Sequence, residues 1–150
     1  MAKRIDFRNF TEKVAGELVY HMSIQSLLDF KSIYGEIKKS DVISMADSSV
    51  KTVSVFFNNR LGYCVFFIPT DESNRLNMFL FATTEAYSNL ATIKESLFNL
   101  INGLQNKKIC SIVYKGNKKL RSLLKANDFK FNKNIVFGKE NRTFSLFIKE

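Results

Sequence analysis

Five cations crowd one short segment of this 150-residue chain: Lys115, Lys118, Lys119, Arg121 and Lys125. With Leu120, Leu123 and Leu124 facing inward on a helix, Lys118, Arg121 and Lys125 share the outer stripe at three-to-four spacing. Such a ridge suits an anionic partner, whether nucleic acid, an acidic protein surface or a phosphorylated ligand. A solvated Lys-rich face is the plain alternative. The ridge has no interleaved exposed aromatics and belongs to no helix-turn-helix or zinc pattern. Sequence-specific DNA reading is therefore disfavoured, and only weak, salt-sensitive contact with nucleic acid is expected.

Other chemistry is thin. His21 is the single histidine; beside Tyr20 and Met22 on a helix it is expected at the surface or half-buried rather than acting as a base. Asp71 and Glu72 are adjacent in a polar loop, where solvated acids are the default. Neither a Ser-His-Asp nor a Cys-His pairing has a recognisable context. Cys64 and Cys110 sit inside β-like apolar runs and are expected as buried free thiols, a disulfide being the lesser alternative. One His and no clustered Cys argue against a structural zinc site.

The elements that would position these groups follow from periodicity. Residues 4–8 suit a short strand. Thr11 suits an N-cap, with Val14 and Leu18 on one helical face. A second helical pattern spans 23–36 through Ile24, Leu27, Leu28, Ile33 and Tyr34. Residues 37–49 are polar and turn-rich, a loop with at most a short helical turn. Val53, Val55 and Phe57 alternate as a strand, Asn58 to Gly62 form a hairpin turn in which Asn and Gly tolerate positive φ, and Tyr63 to Ile68 return as a strand buried on both faces. Pro69 stops that strand. Leu76 to Ala82 is a third run. Residues 84–105 are the clearest helix, with Leu90, Ile93, Leu97, Leu100, Ile101 and Leu104 on one face. A strand over 109–114, a helix over 118–126 and a closing hairpin over 129–148 complete the chain.

Length and composition suit a single domain over 1–150, with 45% hydrophobic residues, 15 Phe and one Pro. No apolar run approaches the roughly 20 residues that span a bilayer, so no membrane partner is expected. The charged opening MAKRIDFRNF has no apolar stretch behind it and is no secretory signal. The whole net charge of +9 lies in residues 103–150, which carry twelve Lys and Arg, Lys107 among them, against Asp128, Glu140 and Glu150.

One block carries a family signature. ICSIVY (109–114) leads through Lys115-Gly116 into NKKLRSLLKANDF (117–129). Strand, turn, Asn, short amphipathic helix and a Phe twelve residues after the Asn resemble the C-terminal half of the GNAT acyltransferase fold. The family pattern has a small apolar residue at +3, Tyr at +7, Gly at +11 and Phe at +12; here these are Leu120, Leu124, Asp128 and Phe129. The element order β-α-α-β-β-β-α-β-α-β-β agrees. The resemblance implies an α/β class: a mixed, mostly antiparallel sheet of about six or seven strands flanked by about four helices.

It also implies where chemistry should be. GNAT enzymes hold the CoA pyrophosphate on backbone N–H groups of an Arg/Gln-x-x-Gly-x-Gly/Ala loop after the fourth strand, at a helix N-terminus that favours anions. Here that segment is Phe81 to Ser88, with no Gly, Arg or Gln, and Glu85 in the first turn would repel a phosphate. Thr83 or Thr84 reads as an ordinary N-cap. The Tyr that often protonates the departing thiolate is replaced by Leu124; Tyr114 or Tyr87 is a remote substitute. Asn117 is expected to cap the following helix.

Within that superfamily, VYKGNKKLRSLLKANDFKF through RTFSLFIKE is similar to the small GNAT-like internal virion or assembly proteins of short-tailed bacteriophages. This implies a non-catalytic, virion-associated or assembly component without catalytic residues, metal or cofactor, binding other phage structural proteins or packaged DNA, in the host cytoplasm during infection or in the virion. Two alternatives stay open: a divergent N-acyltransferase using acetyl-CoA, bound between the strands at 76–82 and 109–114 with the thioester aligned by strand backbone N–H groups, and an inhibitor of a host protein.

Overall fold

The computed structural model describes residues 4–72, 74–104, 108–139 and 141–150. Lys107 and Glu140, counted in the basic third, and Gln105, at the end of the expected long helix, lie outside the described residues. The elements run β1 (Ile5–Asn9), α1 (Glu12–His21), α2 (Ile24–Tyr34), α3 (Lys39–Asp47), β2 (Lys51–Phe57), β3 (Arg60–Pro69), β4 (Arg75–Ala82), α4 (Thr84–Tyr87), α5 (Leu90–Asn102), β5 (Lys108–Tyr114), α6 (Lys118–Ala126), β6 (Lys130–Phe137) and β7 (Arg142–Lys149).

The strands form one seven-stranded sheet in the order β1-β2-β3-β4-β5-β7-β6. Every pairing is antiparallel except β4 with β5. Apolar side chains fill both faces. One core packs α4, α5 and α6 on the sheet around Tyr63, Phe67, Met78, Ile93 and Phe147. The other packs α1, α2 and α3 around Leu18, Phe30, Phe66 and Phe81. Two apolar faces explain why β3 is buried from Leu61 to Phe67 without alternation.

The local chemistry is legible. Thr11 caps α1, its hydroxyl accepting from the Val14 N–H at 3.2 Å. Asn58 and Asn59 make the β2–β3 turn at φ of 51° and 67°, the left-handed pair that a tight hairpin needs. Gly62 serves a different end from the one its turn position suggests: a Cβ there would lie 2.6 Å from the Phe57 ring, so close packing requires it.

Six helices are present among the described residues, two more than expected. Residues 39–47 form α3, where a loop was expected, because Val42 and Met45 are buried against α1 and the sheet; such tertiary burial stabilises a short polar helix that propensity alone would not. The long helix expected over 84–105 breaks at Ser88 and Asn89, where Asn89 leaves helical geometry at φ −132° and ψ 68°. The break lets Tyr87 turn fully into the core.

Candidate functional site: the cleft between β4 and β5

The parallel pairing of β4 with β5 runs from Arg75–Lys108 to Met78–Ser111 and stops. Beyond it β4 continues to Ala82 and β5 to Tyr114, so the two strands splay apart. Backbone groups that a sheet would pair now line a cleft and need other partners.

The chain supplies those partners from α1–α2. Met22 forms an isolated antiparallel bridge with Thr83. The Ser23 N–H donates to the Ala82 carbonyl at 2.8 Å, and the Ala82 N–H donates to the Ser26 hydroxyl at 2.9 Å. On the opposite wall, the Tyr114 N–H donates to Asp29 Oδ1 at 3.1 Å. Asn117 Nδ2 donates to Asp29 Oδ2 at 2.5 Å, while Asn117 Oδ1 accepts from the Leu120 N–H at 3.2 Å. Asn117 thus caps α6 as expected and also ties the cap to α2.

Asp29 is 4% exposed and forms no ion pair among the described residues. Burial pushes its carboxyl up to about 7, against the opposing pull of the hydrogen bonds from Asn117 and Tyr114. Tyr87 completes the cluster. Its hydroxyl is buried beside Ser26 and Asn117 without a well-formed hydrogen bond, and burial, with the Asp29 charge adding, raises its pKa.

Both polar groups of Ala82 and the Tyr114 N–H are thus bonded to α2 and its cap, Ser23. At the phosphate end, Thr83 caps α4 through the Ala86 N–H at 3.3 Å. Glu85 is exposed and pairs with Arg60 at 3.3 Å. The longer helix begins at Leu90, six residues later than the sequence suggests, and that start also lacks glycine. Leu124, at the position of the family's Tyr, is fully buried and has no proton to give. Asp128, at the position of the family's Gly, sits at φ 67°, the left-handed conformation that Asp tolerates better than most residues.

The β6–β7 turn docks on the end of α2: the Lys139 N–H donates to the Ile33 carbonyl at 2.9 Å, and Gly138, at φ 81°, lies against the Ser32 and Ile33 backbone. A cleft of about 660 Å3 opens at the end of α1, lined by Tyr20, His21, Met22, Arg60, Thr83 and Glu85, and so reaches the Met22–Thr83 bridge at the end of β4.

The cationic ridge lies on α6. Lys115, Lys118 and Lys125 are exposed; Lys119 and Arg121 are half-buried. The Lys119 ammonium reaches the Tyr87 carbonyl at 3.5 Å, and the Arg121 guanidinium bends back to the Lys115 carbonyl at 3.2 Å. Arg121 therefore stands partly out of the stripe it was expected to share. Among the other sequence candidates, His21 is exposed against Tyr20. Glu72 pairs with Arg75 at 3.3 Å. Both cysteines are buried and free, and burial pushes the Cys64 thiol up to about 12.

Ser26 and Asp29 escaped sequence reasoning, while Tyr87 was named only as a remote substitute for the missing general acid. A signal was present: Ser26, Asp29 and Ser32 recur every third residue and are all buried, while Ile24 and Leu28, assigned to the inner face, are 71% and 46% exposed. The helix is rotated so that a polar stripe meets the splay.

No family model and no curated protein sequence matches this chain. Solved structures do. RimL, a ribosomal L7/L12 alpha-N-protein acetyltransferase in complex with coenzyme A, superposes with a TM-score of 0.71 at 9% identity, covering 97% of this chain and 93% of that one. A GNAT-family acetyltransferase from Bacillus anthracis gives 0.71 at 15% identity, covering 99% and 96%. The microcin C7 self-immunity acetyltransferase MccE, in complex with acetyl-CoA and AMP, gives 0.72 at 14% identity, covering 97% and 91%. The chain has the GNAT fold. No described helix is long and apolar enough to cross a membrane.

Proposed function

We propose that this chain is a binding protein on a GNAT scaffold rather than an acyltransferase. One observation carries the reading: α2 holds the Ala82 and Tyr114 backbone groups that line the β4–β5 cleft. The resemblance of residues 113–150 to internal virion and assembly proteins of short-tailed phages supports a structural role among other phage proteins, in the host cytoplasm or the virion. Saturating CoA and acetyl-CoA are then expected to leave the unfolding temperature unchanged. A bound cofactor at about a hundred times its dissociation constant would add roughly 2.7 kcal/mol, several degrees for a domain of this size. A saturable shift would overturn the reading.

The α6 ridge is the proposed contact for an anionic partner. Replacing Lys118, Arg121 and Lys125 together by alanine should cost no more than about 1–2 kcal/mol, since two of the three are exposed and Arg121 loses a single surface hydrogen bond. The same variant should lose pull-down of phage structural proteins and flatten the salt dependence of DNA retention. Undiminished association would remove the ridge from the account.

A divergent acyltransferase is the second reading. The structural neighbours are acetyltransferases, and a buried carboxyl and phenol share the cleft. CoA release above background with any acceptor in a panel of amines and peptides would establish it.

A further inference from the structure

β6 ends the sheet and pairs only with β7, so one of its edges presents backbone N–H and C=O groups to solvent. The register fixes which side chains flank that edge. Phe131, Asn134 and Val136 lie opposite Phe147, Ser145 and Thr143, while Lys130 and Lys133 lie opposite Ile148 and Leu146, the register shifting once between Phe131 and Lys133. Directly opposed residues share a face of the sheet. One face of β6 therefore shows Phe131 and Val136, which are 50% and 68% exposed. The other shows Lys130 and Lys133, both exposed, followed by Ile135 and Phe137, which are half-buried.

The strand KFNKNIVF contains no acid, and neither lysine forms an ion pair among the described residues. The opposite edge differs: on β1, Asp6 is flanked and neutralised by Arg4 and Arg8 at 3.1 and 3.2 Å. The β6 edge thus combines free backbone pairing groups, an uncompensated positive face and an apolar face.

We infer that β6 takes up an extended acidic peptide segment as an eighth strand, with Asp or Glu on the face of Lys130 and Lys133 and apolar residues alternating on the face of Phe131 and Val136. Backbone pairing supplies attachment and the alternation supplies selectivity. A second copy is the wrong occupant, because two-fold pairing of β6 with β6 gathers four lysines on one face, and like charges across strands are destabilising. The surface is separated from the β4–β5 cleft by β5 and β7, so it stands whichever reading of that cleft holds.

The probe is a capped synthetic peptide in which Glu and Val alternate, titrated into the full-length protein. Three comparators accompany it: a peptide of the same composition with its Glu and Val in separate blocks, a Lys/Val alternating peptide, and oligothymidylate. The alternating acidic peptide should bind saturably, at least about tenfold more tightly than the blocked one, and slow amide exchange in β6. The double variant Lys130→Glu/Lys133→Glu, checked for unchanged thermal unfolding, should weaken that peptide about tenfold and gain binding of the Lys/Val peptide. The swap keeps the test decisive, since a misfolded variant gains nothing. Equal binding of the blocked peptide, tighter binding of oligothymidylate, or no saturable binding at about a millimolar would each overturn the inference.

Discussion

Raising the pH from 4 to 7 should weaken the folded state through Asp29 alone. Its carboxyl has an ordinary value of 3.8 and is pushed up to about 7 when buried in the cleft. Between those values the folded protein holds a proton that the unfolded chain has released. Stability is then fully present below the unfolded value and falls as pH rises through the folded one, levelling off above about 7. At about 1.36 kcal/mol per unit, the loss is on the order of 4 kcal/mol. Asp29→Asn removes the titration while keeping one acceptor for the Tyr114 N–H. It also places an amide against the Asn117 amide, at a cost of about 1–3 kcal/mol. Urea unfolding at four pH values from 4.5 to 9 reads the difference. Wild type should exceed the variant most at pH 4.5, and the gap should shrink or reverse by pH 8. A gap that is flat with pH would mean that Asp29 is not buried in the closed cleft.

The second large effect belongs to Gly138. A Cβ at this position would stand 2.3 Å from the Ser32 carbonyl oxygen and 2.9 Å from the Ile33 Cα, both backbone atoms, and φ is 81°. Left-handed geometry with a side chain costs about 1–2 kcal/mol, and forced overpacking adds about 1–3. Gly138→Ala should therefore destabilise by roughly 2–5 kcal/mol. Exchange of the Lys139 amide should accelerate as the turn lifts from α2. Gly35 is the internal control: it has the same φ of 81°, but a Cβ there meets only the flexible end of Lys139 at 3.5 Å. Gly35→Ala should cost only the backbone penalty of about 1–2 kcal/mol. Equal losses at the two sites would show that the turn does not dock on α2.

These two positions mark the limits of what the sequence discloses. Local signals gave most elements, since alternation, three-to-four spacing and turn residues act over a few neighbours. Asn117 could be read as a cap because a cap is local. Its second bond, to a carboxylate 88 residues away, could not. The splay is equally silent in sequence: β4 and β5 look like ordinary strands, and only their tertiary pairing ends early at Met78 and Ser111. On α2, hydrophobic periodicity was right for Leu27, Ile33 and Tyr34, which pack against the core, and wrong for Ile24 and Leu28, which the fold leaves outside because a polar stripe is buried in their place. α3 was missed for the converse reason, being a polar helix held by a few buried contacts. The absent glycines and the Leu124 replacement could be read directly, because chemistry that needs particular residue types leaves a visible gap when they are gone.

Asp29 is bonded to groups 85 and 88 residues further along the chain, and this orders events during synthesis. While the first hundred residues emerge from a ribosome, α1, α2 and the β2–β4 meander can associate, but the wall that receives Asp29 has not been made. Long-range closures of this kind slow folding relative to local ones. α2 should therefore settle last, when Tyr114 and Asn117 arrive, and the nascent chain should show a late, single-step gain of protease resistance in its N-terminal quarter.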